Sequence, residues 1–241
     1  MPQDPRTKYN LWVAAQSAIG KAWKELKNPP GNLDSPEARR AVLRHFYLID
    51  HAIVRVFWTN QAEIAPGVLR SNQPSPARIA RWARKGIKSV LTLRGAGHSS
   101  PLLLEREACA RHGITLHNVA ISARALPDRD TLLELIALMA EIEKPFVIHC
   151  KSGSDRTGLA AALYRITVLG HPVDKARSEL HWRYLHFRNS DTGVLDAIFD
   201  TYERDNTASP IAFIDWLSER YDPEAISAAW AASRSGGRSP P

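Results

Sequence analysis

The chain has 241 residues, of which 44% are apolar and 24% charged, a composition typical of a folded globular protein rather than a disordered or fibrous one. No stretch reaches the roughly 20 apolar residues that span a bilayer, and two cysteines exclude a disulfide framework. The formal charge of +7 favours anionic partners, and we expect no nucleic acid because no basic run is interleaved with aromatic residues.

The first 60 residues are predicted to be helical. A first helix over Lys8–Lys27 ends before residues 29–31, because Pro-Pro-Gly cannot continue a helix. A second helix begins at Ser35-Pro36, where a capping residue precedes a proline at the first helical position. Its apolar residues recur at helical spacing as far as Phe57, so one face is predicted to be buried.

Strands and helices alternate from about residue 61. The predicted strands are Gly67–Arg70, Ile87–Leu93, Ile114–His117 and Pro145–His149, and the predicted helices between and after them are Pro76–Lys85, Pro101–His112, Thr131–Ile142 and Gly158–Leu169. Further helices are predicted over Val173–Arg183, Gly193–Arg204 and Pro210–Tyr221. The alternation predicts an α/β fold with a central, mostly parallel sheet flanked by helices.

This reading divides the chain into four segments. Residues 1–60 form an N-terminal helical extension, and residues 61–190 form the α/β domain. Residues 191–232 are C-terminal helices, and residues 233–241, rich in Ser, Gly, Arg and Pro, are predicted to be a disordered tail.

One segment of the α/β domain, residues 146–158 (FVIHCKSGSDRTG), carries a chemical motif. An apolar strand ends at Cys150, Arg156 follows after five intervening residues, and a helix begins at once. A loop at a helix N-terminus can turn successive backbone N–H groups inward and bind an anion. We therefore predict that phosphate is bound by six loop residues: Lys151, Ser152, Gly153, Ser154, Asp155 and Arg156.

The same residues suit a nucleophilic mechanism. The planar guanidinium of Arg156 can hold two phosphate oxygens, and with the loop dipoles it should lower the Cys150 pKa. The thiolate would attack phosphorus, and water would hydrolyse the phosphocysteine intermediate. Thr157 can hydrogen-bond the sulfur and help it leave, while His149 can fix the loop through a ring N–H. This chemistry needs no metal and no cofactor.

The sequence HCKSGSDRTG resembles the active-site loop of the protein-tyrosine-phosphatase superfamily, in its compact dual-specificity branch. Residues 67–74 (GVLRSNQP) are similar to an (Y/L)RSxQP element of bacterial members, and residues 87–94 resemble their second strand. The resemblance covers about residues 62–185. It implies the fold of these phosphatases, with Cys150 as nucleophile and Arg156 as the phosphate-binding arginine.

The mechanism also requires a general acid for the leaving oxygen. The family places an aspartate on a separate loop, and residues 124–130 match that region without a Trp-Pro-Asp triplet. Asp128 is either this acid or a helix cap, and the same alternatives hold for Asp130. Asp155 is a further candidate, because similar Asp-Arg pairs occur in myotubularin-type and Sac-type phosphoinositide phosphatases. Alternatively, Asp155 orients Arg156 or accepts loop N–H bonds.

The predicted function is a cysteine-dependent phosphatase for phosphomonoesters, acting on a phosphoprotein or on a phospholipid or inositol phosphate. Lys151 and the basic charge incline the prediction towards the non-protein substrates. A rhodanese-like sulfurtransferase and a non-catalytic phosphate-binding module remain as alternatives. The catalytic thiol favours the reducing cytoplasm, and Cys109, in a predicted helix, is expected to be buried.

Two basic, aromatic stretches have open interpretations. The N-terminal helix that carries His45, His51 and Arg55 either packs on the domain or lies on an acidic membrane. The cluster at residues 181–188 (HWRYLHFR) either faces the phosphate pocket or packs inside with its cations in water.

Overall fold

The computed structural model describes residues 16–17, 19–95 and 97–236. The first predicted helix is present as α1, helical at residues 19–27, and its predicted start at residues 8–15 lies outside the described residues. α2 (Pro36–Arg44) begins where the Ser35 side chain accepts a hydrogen bond from the Ala38 N–H.

The second predicted helix is interrupted. α2 continues into a π-helical turn (His45–Ile49), and His51 then adopts a left-handed conformation with φ of 59° before the short helix α3 (Val54–Phe57). The prediction of one helix as far as Phe57 is therefore wrong. The break has a physical reason, because it turns Asp50 inward to bond Arg55 and Arg94.

Five strands form the sheet: β1 (Ala62–Ala65), β2 (Val68–Asn72), β3 (Ser89–Thr92), β4 (Thr115–Asn118) and β5 (Phe146–Cys150). Their order is β1-β2-β5-β3-β4. β1 is antiparallel to β2, and the other neighbouring pairs are parallel. The predicted central, mostly parallel sheet is confirmed, and β1 is an additional edge strand that the sequence analysis missed.

Helices cover both faces of the sheet: α4 (Pro76–Arg84), α5 (Ser100–Arg111), α6 (Arg129–Glu141) and α7 (Asp155–Thr167). Leu91 and Ile148 belong to the core shared with α6 and α7, whereas Val90 and Val147 belong to the core shared with α4 and α5. Alternate residues of the central strands therefore face opposite helical layers, and this is why consecutive residues in the middle of those strands are apolar.

The C-terminal part departs from the predicted helices. α8 (Val173–Ala176) is short, and 3₁₀ turns at Arg177–Glu179 and Trp182–Tyr184 replace the rest of the predicted helix. A third 3₁₀ turn (Asp191–Leu195) leads to α9 (Asp196–Ala208), α10 (Phe213–Glu219) and α11 (Pro223–Gly236). Residues 233–236 are thus helical where a disordered tail was predicted, and residues 237–241 lie outside the described part of the chain.

The predicted segments share their cores. The main apolar cluster extends from Ile64 in β1 to Ile226 in α11, and Val42 and Phe46 of the N-terminal extension pack with Leu104 of α5. The segment boundaries near residues 60 and 190 therefore stay predictions. None of the helices in the described residues is long and apolar enough to cross a membrane.

Candidate active site

Cys150 lies at the carboxyl end of the central strand β5, between β2 and β3. In parallel sheets this end of the strands is where ligands bind. The chain from Cys150 to Arg156, here called the cysteine loop, connects β5 to the first turn of α7. The predicted strand–loop–helix context of the motif is therefore present.

The environment of the Cys150 sulfur favours the thiolate. Burial alone would raise the pKa of this 1% exposed thiol, but Arg156, the hydroxyl and N–H of Thr157 and the N–H of Gly153 outweigh it and lower the pKa. The buried Thr157 hydroxyl finds no other hydrogen-bond partner among the described residues, which leaves it for the sulfur. Cys109 differs, because burial and Glu105 raise its pKa to about 12.

Gly153 allows the cysteine loop to lie directly against β2. Its φ is 72°, and a Cβ at this position would be 2.6 Å from the Ser71 carbonyl oxygen and 2.8 Å from the Asn72 nitrogen. Both the left-handed conformation and the close approach of the two backbones require glycine here. The path of the cysteine loop against β2 therefore depends on this residue.

Arg70 supports the cysteine loop from below. This fully buried β2 side chain donates to the Gly153 carbonyl at 2.8 Å and to the Glu179 carboxylate at 2.5 Å. Its guanidinium also lies 3.5 Å from the centre of the Tyr184 ring. Because Arg70 satisfies loop carbonyls on the outer side, the loop N–H groups remain free to face an anion.

A hydrogen-bonded chain of side chains braces the loop at its N-terminal side. His149 Nε2 bonds Glu105 at 2.5 Å, and Glu105 also accepts from Gln73 at 2.9 Å. Arg94 donates to Gln73 at 2.9 Å and to Asp50 at 2.8 Å. Asp50 lies 3.5 Å from the ammonium of Lys151, whose side chain is 42% exposed. The network therefore begins at residue 149, just before the loop, and ends at residue 151 within it.

Two residues predicted for the loop have their own partners here. The His149 ring bonds Glu105 and, at 3.2 Å, the Cys150 carbonyl oxygen, as expected for a side chain that fixes the loop. Arg156 donates to the carbonyl oxygens of Leu93 at 3.2 Å and Ile121 at 3.4 Å. The guanidinium of Arg156 therefore lies between the cysteine loop and the loops that follow β3 and β4.

Asp155 is held by a buried histidine. His186, 2% exposed, places Nδ1 2.8 Å from the Asp155 carboxylate and Nε2 2.7 Å from Asp196. Burial would lower the pKa of His186, but hydrogen bonds and charges of both aspartates raise it to about 9. Burial alone would raise the pKa of Asp155, but hydrogen bonds from His186 and Thr192 outweigh burial, so the pKa is lowered. Asp155 is therefore an ion-paired carboxylate at neutral pH.

Asp128 caps helix α6. Its carboxylate accepts from the Thr131 N–H at 2.7 Å and the Thr131 hydroxyl at 3.0 Å, and these bonds lower its pKa. Asp128 and Asp130 line a surface depression with Tyr221 and Asp222, and no residue of the cysteine loop lines it. Of the two interpretations of Asp128, this geometry favours the cap.

The structure brings residues to the site that the motif did not contain. These are Asp50, Asn60, Arg70, Glu105, His186 and Asp196. Asn60 donates from one amide to the Ser152 carbonyl and to the Tyr184 carbonyl, both at 3.0 Å. Arg70 had a sequence signal, since it belongs to the GVLRSNQP element, and His186 lies in the cluster at residues 181–188, which one interpretation placed at the pocket. Asp50, Asn60, Glu105 and Asp196 lie far from residue 150 in the chain, and nothing local indicates them.

The two basic, aromatic stretches are partly buried. In the N-terminal stretch, Phe46 and Arg55 are buried, so this segment packs on the domain as one interpretation held. In residues 181–188, Tyr184 and His186 are buried, whereas Trp182 and Phe187 are 68% and 54% exposed. Only part of the second cluster therefore packs inside, and its orientation towards the phosphate pocket stays a prediction. Among the described residues, no cluster of His, Cys, Asp or Glu has the arrangement of a metal site.

Comparison with known proteins defines the class. The family model described as "Polymorphic toxin system, DSP-PTPase phosphatase" matches residues 67–168, from β2 through α7. The dual specificity protein phosphatase TpbA of Pseudomonas aeruginosa is 30% identical over 122 residues, which are 50% of this chain and 53% of that protein. Residues 67–168 are thus similar to a dual-specificity-type phosphatase domain, which agrees with the resemblance that the motif predicted.

Solved structures include two similar folds. The P. aeruginosa TpbA crystal structure has a TM-score of 0.48 and 24% identity, covering 72% of this chain and 91% of that one. The catalytic domain of the PP-IP phosphatase Siw14 from S. cerevisiae also has a TM-score of 0.48, with 19% identity, covering 62% of this chain and 91% of that one. The chain spans about half the length of the curated relatives that it matches.

Proposed function

We propose that this protein is a cysteine-dependent phosphatase that hydrolyses phosphomonoesters through a phosphocysteine intermediate. The observation that carries the proposal is the Cys150 thiol, whose pKa is lowered at the end of a parallel strand by Arg156 and by the loop dipoles. A thiolate so placed, beside inward N–H groups and a guanidinium, is suited to bind and attack a phosphate.

The proposed reaction has two steps. The Cys150 thiolate forms an S–P bond while the ester P–O bond breaks, and the leaving alkoxide takes a proton. Water then attacks phosphorus, the S–P bond breaks, and inorganic phosphate and the thiolate are regenerated. Arg156 would leave its carbonyl partners at Leu93 and Ile121 to hold two phosphate oxygens, and the Thr157 hydroxyl would donate to the departing sulfur.

Two aspartates are candidates for the general acid of this mechanism. Asp155 is ion-paired with His186, and Asp128 caps α6, so both carboxylates have low pKa values and other partners. We assign Asp155 a positioning role, which holds Arg156 at the start of α7. Asp128 stays the candidate acid, and the test is Asp128→Asn: loss should be greatest with alkyl phosphates and least with p-nitrophenyl phosphate, whose leaving group hardly needs a proton.

The substrate class in this proposal is broad. The curated relative named as a dual specificity protein phosphatase supports a phosphoprotein, whereas the exposed Lys151 in the loop supports an additional phosphate or an acidic headgroup. The proposal places the protein in a reducing compartment such as the cytoplasm, because Cys150 must stay reduced. Contact with an acidic membrane is a further part of the proposal.

The decisive experiment is p-nitrophenyl phosphate hydrolysis in EDTA with a reducing agent. Wild type should turn over and be inhibited by vanadate, and Cys150→Ser should lose turnover because a hydroxyl is not ionised at neutral pH. Cys109→Ala is the matched control, since that buried thiol has a raised pKa and should be dispensable. Equal activity of Cys150→Ser and wild type would refute the nucleophile.

A further inference from the structure

Two exposed apolar segments border the cysteine loop. In the first, residues 53–57, Phe57 is 89% exposed, and Ile53, Val54 and Val56 are each more than half exposed. In the second, residues 182–187, the exposed side chains are Trp182, Leu185 and Phe187. We call these two segments together the apolar rim.

Hydrogen bonds fix the apolar rim next to the proposed site. The Asn60 amide, three residues after Phe57, joins the carbonyl oxygens of Ser152 in the cysteine loop and Tyr184 in the second segment. At the end of β2, the Asn72 side chain donates to the carbonyl of Trp58. Both halves of the rim are therefore attached to the backbone that surrounds Cys150.

The side chains of the rim protrude. A phenylalanine that is 89% exposed does not line a groove, and Trp182, 68% exposed, has its ring centre 5.4 Å from that of its neighbour His181. Tyr184 and His186 turn inward between them, so the outward residues of the second segment alternate with anchoring ones. Isolated, fixed aromatic protrusions of this kind suit insertion into a soft interface rather than a concave protein pocket.

The charge around the rim is positive. Residues 51–62, 119–127 and 181–190 contain no Asp or Glu, although the chain has 25 acidic residues. Arg183 and Arg124 are exposed on these segments, and the ammonium of Lys151 is exposed on the loop between them. Asp50 beside Lys151 is buried. The exposed Glu63 lines a depression together with Arg183 and is an acidic neighbour of the rim. Apolar protrusions among a majority of cations complement an anionic lipid surface.

From this arrangement, we propose that the apolar rim docks the protein on an anionic membrane, so that the mouth of the cysteine loop faces the lipid headgroups. The proposal rests on the proposed phosphatase function and adds the physical form of its substrate, a phosphate presented at a bilayer surface. Of the N-terminal stretch that the sequence suggested for a membrane, the proposal keeps only the exposed residues of 53–57, because Phe46 and Arg55 are buried.

Vesicle flotation tests the proposal directly. Wild type should float with phosphatidylcholine vesicles that contain phosphatidylglycerol, and should bind less to pure phosphatidylcholine and less at high salt. The double variant Phe57→Ser/Trp182→Ser should bind at least about tenfold more weakly. Ile214→Ser, a 38% exposed isoleucine on α10, is the matched control and should bind like wild type.

Soluble p-nitrophenyl phosphate hydrolysis, measured in parallel, separates two kinds of failure. The double variant should keep wild-type turnover, since neither side chain belongs to the loop. No flotation of wild type, or equal flotation of wild type and double variant, would overturn the docking proposal while leaving the phosphatase intact. If the double variant loses phosphopeptide turnover but floats like wild type, the docking proposal is also overturned, and the rim is a protein-docking face. An inactive wild type that floats would refute the phosphatase only.

Discussion

The buried bridge of Asp155, His186 and Asp196 makes a quantitative prediction about stability. His186→Gln removes a cation whose two ring N–H groups serve two carboxylates, and a glutamine side chain can donate to only one of them while its carbonyl faces the other. A pKa of about 9 against the ordinary 6.5 corresponds to at most about 3 kcal/mol of folding free energy.

The sign of the pH dependence follows from the raised pKa. Folded protein holds the His186 proton more tightly than unfolded protein does, so the stabilisation is complete below pH 6.5 and is lost as the pH rises through about 9. Urea unfolding of wild type and His186→Gln should therefore differ by up to about 3 kcal/mol near pH 6, and the difference should shrink towards pH 9 and above.

A matched control isolates the effect. His112 is exposed at the end of α5, and His112→Gln should unfold like wild type at every pH. If wild type and His186→Gln have the same free energy of unfolding, or if their difference does not change with pH, the charged bridge is refuted. It would also remove the argument that Asp155 is an ion-paired carboxylate instead of an acid.

Three further substitutions test the support of the cysteine loop. Gly153→Ala should cost more than about 2 kcal/mol in urea unfolding and abolish turnover, whereas Gly86→Ala, which shares a positive φ but meets nothing within 4 Å, should cost clearly less. Arg70→Lys should cost about 2 to 3 kcal/mol, because an ammonium cannot serve both Gly153 and Glu179. Arg156→Lys should lower kcat for p-nitrophenyl phosphate at least about 100-fold, and retention of most activity would exclude bidentate phosphate binding.

The sequence was informative where the determinants are contiguous. The strand, loop and helix around Cys150 lie within one short segment, so apolar patterning and one glycine were enough to predict their arrangement. The edge strand β1 (AEIA) was missed, because four residues with a single β-branched side chain give no strand signal. The helix predicted through Arg183 failed because Glu179 is drawn inward to Arg70, which is 109 residues away in the chain.

The general acid shows the same limit for chemistry. Sequence alone left both Asp128 and Asp155 open as candidates. Asp128 lies in the region that matches the acid loop of the family, and Asp155 forms an Asp-Arg pair like that of some phosphoinositide phosphatases. The two carboxylates differ in their hydrogen-bond partners. Asp128 accepts from Thr131, whereas Asp155 bonds His186, which is 31 residues away in the chain. The partner of Asp155 is set by the packing of the chain around residues 186–195 against α7, and no local pattern encodes it.

The cationic side chains of the protein fall into two groups, those buried in ion pairs and those exposed on the surface. Three arginines are buried or mostly buried, and each forms an ion pair with Asp50 or Glu179: Arg55, Arg70 and Arg94. Their role is to hold backbone and side chains around the cysteine loop. Their charge is neutralised locally and contributes little to attraction at a distance. The cations that an incoming anion meets are the exposed ones, such as Lys151 and Arg183. The proposed preference for an acidic surface therefore depends on where these few cations lie, and not on the formal charge of +7.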